Sequence, residues 1–235
     1  MKKKTIGIIQ PHYLPWIGYF NLILKSDIFV YLDDVEFTRG EWKNRNQIRK
    51  NPLSDEPKWI SVPIEKKSHF SLMSDCLIDE ESDWREKHIN SIYESYKKAP
   101  FFSKYFENIK IILLNKKLRI LSDLNIELIE YICKELMIFT KKIRSSEINC
   151  DGNKHTKPLN ICKKLGCNQY LATKKSSEYI KISDYNENNI KVIFQNFNNL
   201  DYEQFSDKIK LKNLKFLSII DLLFNQGLKS RKNIE

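Results

Sequence analysis

Two short apolar runs, Ile6 to Ile9 and Ile28 to Leu32, flank a turn with two prolines and an apolar segment running from Pro15. β-branched runs of this length predict strands, and Pro15 suits the first residue of a helix. Strand, helix and strand make a βαβ unit, whose strands run parallel through a right-handed crossover. Both strands then deliver polar residues to one place. Gln10 to Pro15 and the pair Asp33 and Asp34 emerge at the carboxyl edge of the sheet, where open α/β folds bind ligands.

Further along, Lys58 to Ile64 alternates like a strand, with Pro63 marking an edge or an end, and a short strand is expected around Leu77 and Ile78. From Trp84 the period becomes helical through His88, Ser91, Ile92 and Tyr96, and this helix ends before Pro100. Helices are also expected over Phe101 to Leu118, and from Leu124 to Phe139 behind a cap at Ser122 or Asp123. Ile143 to Lys154 reads as a polar linker. A helix from Lys157 to Leu165 should stop at Gly166, with a strand at Gln169 to Thr173, a turn at Tyr185 to Asn189 and a strand at Ile190 to Phe194. The last helix spans Leu214 to Gln226. This alternation predicts a single α/β domain over residues 1–235, with a mainly parallel sheet and a helical elaboration, a lid or subdomain, over about 84–140.

Composition changes this picture little. The chain has an ordinary apolar fraction of 41% and a net charge of +10, but its lysines are spread along the whole sequence among many Asn and Ile. That distribution gives solvated helix faces rather than one basic stripe, so nucleic acid is not the expected partner. Met1-Lys-Lys-Lys4 precedes only a short apolar run broken by Gln10 and Pro11, so neither a signal peptide nor a spanning helix is expected, and the expected location is cytoplasmic. The five cysteines are odd in number and are expected as free thiols. Cys150, His155, Cys162 and Cys167 lack the paired spacing of zinc knuckles, and no metal site is expected.

Candidate chemistry concentrates near the first two strands. Tyr13, Trp16 and Tyr19 share a helical face, which serves equally as core or as binding surface. Gln10, His12, Asp33 and Asp34 follow apolar runs directly, as site residues and turn residues both do. Thr38 to Arg49 is dense in guanidinium, amide and indole groups. Arg45 and Arg49 are candidate phosphate clamps, Asn44 and Asn46 candidate donors to sugar or base, and Trp42 a candidate stacking platform; the alternative is an exposed polar loop. His88, with an unperturbed pKa near neutrality, is a candidate base alongside Asp33 and Asp34, or else a satisfied core histidine. On the last helix Ser218, Asp221 and Asn225 form a polar ridge that either caps a neighbouring loop or orients a site group.

Gln10-Pro-His-Tyr-Leu-Pro-Trp-Ile-Gly-Tyr-Phe20, Asp33 to Phe37, Trp42-Lys-Asn-Arg-Asn46, Trp59 to Pro63, Tyr96 to Pro100 and Ser218 to Gly227 together resemble the WbqC-like family, over residues 6 to about 228. The resemblance implies a role in surface-polysaccharide and O-antigen biosynthesis. The implied reaction transfers glycine or another acyl group to the amine of a nucleotide-linked amino sugar, from an acyl or aminoacyl donor that ATP with Mg could activate. It carries no catalytic assignment. The sequence departs from the family pattern where Ala172-Thr-Lys-Lys-Ser-Ser177 replaces a glycine-rich loop, and where Lys157-Pro-Leu159 replaces an Arg-Leu pair. Two other classes are open: a nucleotidylyltransferase-like enzyme, for which Gly18-Tyr19 stands where a Gly-His would bind triphosphate, and a non-enzymatic RNA-binding module.

Overall fold

The computed structural model describes residues 3–198, 201–205 and 214–235. The chain opens as β1 (Thr5–Ile9), α1 (Ile17–Leu24) and β2 (Ile28–Tyr31), followed by a hairpin of β3 (Arg45–Arg49) and β4 (Pro57–Ser61). Three helices come next: α2 (Trp84–Tyr96), α3 (Phe102–Leu114) and α4 (Leu121–Glu135). The remainder is β5 (Lys141–Arg144), α5 (Lys157–Lys164), β6 (Gln169–Ala172), α6 (Ile182–Glu187), β7 (Lys191–Phe194), α7 (Ile219–Gln226) and α8 (Ser230–Ile234).

As the βαβ reading predicts, β1 and β2 pair in parallel, with Ile6 opposite Ile28 and Ile9 opposite Tyr31. The main sheet has the order β5-β2-β1-β6-β7, and all its pairings are parallel. The chain therefore builds outward from β1 through β2 to β5, then returns to the other side of β1. That reversal is a topological switch point at the carboxyl ends of β1 and β6, the place where open α/β folds bind ligands.

Alternation along the strands feeds a core on each face. Phe29, Tyr31 and Leu171 pack with α1, α4 and α7 in a large core that also takes in α2, α3 and the hairpin. Ile6, Ile8, Val30 and Tyr170 face the other way, against Ile161 and Cys162 of α5 and Tyr185 of α6. Gly18 admits the indole of Trp16 against the first turn of α1, where an added Cβ would lie 2.2 Å from the ring. The loop before it is under strain, with Leu14 at φ 40°.

Five expectations differ from what folds. The helix read from Leu124 to Phe139 runs over Leu121–Glu135, with Ser122 and Asp123 inside it rather than capping it. β5 occupies the start of the expected linker; it is an edge strand whose Lys141 and Lys142 are the kind of charge that guards an edge, and Lys142 pairs with Glu130 at 3.0 Å. Residues 182–187 are helical rather than a turn. Leu77 and Ile78 make isolated bridges, to Ile120 and Ile64, and no strand. The last helix starts at Ile219, because Ser218 bridges to Trp16 and caps the Ile220 N–H. The Cα chain reverses at Gly166, at φ 61°, as expected of a helix stop. Among the described residues no helix is long and apolar enough to cross a membrane.

Candidate active site

Three segments meet at the switch point, here called the crevice after the place it takes in open α/β folds. β1 runs into Gln10-Pro-His12, β6 into Thr173 to Ser177, and the loop before β3 brings Glu41, Trp42 and Lys43. Asn125 of α4 ties the first and third together, its amide donating to the carbonyls of Pro11 at 3.0 Å and Lys43 at 2.8 Å. Lys43 is 2% exposed, and its ammonium pairs with Glu41 at 2.9 Å. Lys175 approaches the same carboxylate at 3.9 Å. Thr173 and Ser176 share a hydroxyl hydrogen bond of 2.8 Å, and the Tyr179 hydroxyl donates to Ser176 at 3.0 Å, which fixes the turn that carries Lys175.

His12 lies at the centre of these charges. Its ring packs beside Tyr19 at 5.3 Å, and its Nδ1 is buried without a hydrogen-bond partner among the described residues. Burial, then the charge of Lys43, and finally that of Lys175 lower its pKa to about 3, against the opposing pull of Glu41. The imidazole is therefore neutral at pH 7. Burial works against the Glu41 carboxylate too, but its hydrogen bond to Lys43 and the lysine charges hold it below the ordinary range. An anion seated on Lys43 and Lys175 would cancel two of the influences that depress His12 and so raise its basicity.

Beside the crevice stands an aromatic ledge. Trp42 and Trp59 pack at 5.3 Å, and the guanidinium of Arg45 lies over Trp59 at 4.4 Å.

A second polar cluster occupies the ends of β2 and β5. Asp33 is fully buried, one carboxylate oxygen taking the Ser146 N–H at 3.0 Å and the Ser145 hydroxyl at 3.1 Å, the other taking the Ser146 hydroxyl at 3.0 Å. Arg144 stands 3.7 Å from it. Asp34 pairs with Lys157 at 2.7 Å and also meets the Ser145 hydroxyl. Strand alternation carried on through the two acids would turn them to opposite sides, but the strand ends at Tyr31 and both carboxylates converge on Ser145. Asp33 has no face toward the crevice. Its bonds fasten two strand ends, so Asp33 is a buried fastening and not an exposed base.

Other sequence candidates are also placed away from the crevice. His88 is buried beside Trp84 with its Nδ1 2.9 Å from the Tyr13 hydroxyl, and burial lowers its pKa to about 4, so it is a core histidine and not an exposed base. Arg49, 2% exposed, donates to the Ser54 carbonyl at 3.0 Å and to Gln204 at 2.6 Å; it is an interior fastening and not a phosphate clamp. The amide donors of Asn44 and Asn46 are committed to backbone carbonyls: Val62 for Asn44, and Tyr13 and Leu14 for Asn46. Asn46 thereby holds the strained loop at Leu14. Tyr13 and Tyr19 are core residues, and the Tyr19 hydroxyl donates to the Gln10 carbonyl at 3.1 Å. Trp16 is half-buried against Phe197 and Phe216. Asp221 accepts from the Tyr202 hydroxyl at 2.6 Å, and Asn225 accepts the Phe205 N–H, so this ridge caps the loop at 202–205. Of the candidates, Gln10, His12, Trp42 and Arg45 stand at the crevice or on its ledge.

Sequence reasoning missed Glu41, Lys43, Lys175, Trp59 and Asn125. Lys43 carried a signal, since it stands inside the Trp-Lys-Asn-Arg-Asn block, and Lys175 lies in a loop whose ammonium and hydroxyl groups suit an anion. Asn125 carried none, being one polar residue in an amphipathic helix.

A family model described as the WbqC-like protein family matches residues 10–233. Uncharacterized protein Rv1507c of Mycobacterium tuberculosis is 30% identical over 226 residues, which cover 95% of this chain and 94% of that protein. No solved structure matches the chain.

Proposed function

This chain belongs to the WbqC-like protein family, and we propose that it is an enzyme of surface-polysaccharide (O-antigen) biosynthesis that transfers glycine or another acyl group to the amine of a nucleotide-linked amino sugar. The observation that carries the reading is the meeting of a neutral His12 with Lys43, Lys175 and Glu41 at the switch point of a parallel sheet. Lys43 and Lys175 seat the phosphates of the sugar nucleotide. As the amine nitrogen attacks the acyl carbonyl it becomes strongly acidic, and His12, whose basicity rises in part when the lysine charges are cancelled, accepts the proton it sheds. The new C–N bond forms as the donor's leaving group departs with the acyl bond electrons, and the proton follows that leaving group.

The test is to incubate the full chain with nucleotide-linked amino sugars and activated acyl or aminoacyl donors, with and without ATP and Mg, and to read product mass. One acyl group added to the sugar nucleotide, at a rate about a hundredfold lower in His12→Gln, is expected. A sugar nucleotide at about a hundred times its dissociation constant should also stabilise the fold by about 2.7 kcal/mol. No acylated product with any donor, and no stabilisation, would sink the proposal. One observation favours a second reading, nucleotidylyl transfer: the loop after β6 sets two lysines and two hydroxyls where doubly wound folds hold nucleotide phosphates. ATP–pyrophosphate exchange that depends on Lys175, without acyl transfer, would replace the first reading with the second.

A further inference from the structure

Acyl transfer leaves the aromatic ledge unexplained. Trp42 and Trp59 pack on one another yet remain 37% and 42% exposed, an unusual cost for two indoles with a large core available. Arg45 stacks on Trp59, its Nε is buried without a partner, and its guanidinium makes no ion pair or hydrogen bond among the described residues. A stacked guanidinium keeps its N–H groups in its own plane, available at the rim. The ledge is also joined to the crevice. Trp42 stands between Glu41 and Lys43, and its carbonyl accepts the N–H of Tyr13, the neighbour of His12, at 3.1 Å.

We propose that Trp42, Trp59 and Arg45 form the nucleobase subsite of this crevice and select a base with a carbonyl edge, uracil or guanine. This rests on the reading of the crevice as a sugar-nucleotide site. Indole faces of this kind stack on planar bases whatever their sequence. The cations Arg45, Lys43 and Lys175 oppose a cationic aromatic ligand and suit one that carries phosphate. Arginine only donates, so its free edge matches O4 of uracil or O6 and N7 of guanine, and it meets donors at the exocyclic amines of adenine and cytosine. Arg45 thereby reads the base, and the lysines hold the phosphates.

The experiment titrates the full chain with UMP, GMP, CMP, AMP and ribose 5-phosphate, read by calorimetry and by quenching of tryptophan fluorescence. All five carry one phosphomonoester, so charge is held constant. UMP or GMP should bind about tenfold or more tighter than ribose 5-phosphate and quench the fluorescence. Trp42→Ala should lose about that tenfold while leaving ribose 5-phosphate unchanged, and Trp42→Phe should keep most of it. Arg45→Met, which preserves an apolar stem over Trp59, should erase the preference for UMP or GMP over CMP and AMP.

Nucleotide affinities untouched in both Trp42 variants, or ribose 5-phosphate binding as tightly as UMP and GMP, would overturn the subsite. If Lys175→Ala still weakens ribose 5-phosphate in that case, the crevice keeps its function and only the base reading falls. Failure of every phosphate compound to bind removes both. Oligouridylate binding far more tightly than UMP, with sugar nucleotides unable to compete, would show a nucleic-acid occupant and overturn the subsite too.

Discussion

Two polar clusters lie side by side at the carboxyl edge of the same sheet, built from similar residues. At the ends of β2 and β5, Asp33, Asp34, Ser145, Ser146, Lys157 and Arg144 satisfy one another, and every oxygen of Asp33 has a partner. At the ends of β1 and β6, His12 has a buried nitrogen without one among the described residues, Lys43 and Lys175 share a single carboxylate, and Arg45 has no polar partner. Saturated clusters hold a fold together, since removing a member strands its partners. Unsaturated ones keep interaction capacity for something else. Position at the edge is common to both clusters, so it is saturation that separates fastening from site.

The sharpest way to break this comparison is at Asp33. Asp33→Ala removes the two bonds from Ser146 and the one from the buried Ser145 hydroxyl that fasten the ends of β2 and β5, and should cost about 3 kcal/mol of stability in chemical denaturation. His12→Ala removes no hydrogen bond and should cost less than about 1 kcal/mol. Equal losses would dissolve the distinction.

Activity should divide the other way. His12→Gln is expected to lower turnover about a hundredfold, worth about 2.7 kcal/mol in barrier height, with an unshifted melting temperature. Asp34→Asn, at the fastening cluster, should leave turnover per folded molecule within about threefold; a hundredfold fall in steady-state rate there would return the carboxylates to the chemistry.

Acid should act through both depressed histidines, His12 and His88, and His88 can be tested apart from the site. His88 has a folded pKa lowered from 6.5 to about 4. The unfolded chain therefore binds more protons between those values, so stability is full above pH 6.5 and falls as the pH drops toward 4. From pH 8 to pH 5 the loss on this account is on the order of 2 kcal/mol. Denaturation of His88→Gln should show a correspondingly flatter pH profile; an unchanged slope would mean that His88 does not titrate as a core residue.

The smallest effect belongs to Glu41. Its half-exposed carboxylate competes for the buried Lys43 and the exposed Lys175, so Glu41→Gln should tighten pyrophosphate binding about threefold. Calorimetry that shows weaker binding would make Glu41 a ligand contact rather than a competitor.

What the sequence determined by itself was the frame: the parallel pair of β1 and β2, the α/β class, a helix from Trp84 that ends before Pro100, a helix within 101–118, the stop at Gly166, and the delivery of Gln10, His12, Asp33 and Asp34 to one edge. Each follows from side-chain period or from a backbone breaker, and both act over a few residues. Edge strand β5 was hidden because Lys141 and Lys142 carry the charge of a linker, and β3 because its Arg and Asn resemble a loop. The roles of the edge residues were decided only in three dimensions. Asp33 meets Ser145 across 112 residues, Asn125 meets Pro11 across 114, and Arg49 meets Gln204 across 155. Whether a polar group is satisfied depends on segments that the chain brings back from such distances, and no local pattern records them. For that reason Asp33, Arg49 and His88 read as chemistry in the sequence and fold as fastenings. Lys175 is brought toward His12 by the return of β6 to the side of β1, and Lys43 by the loop that Asn125 ties to Pro11.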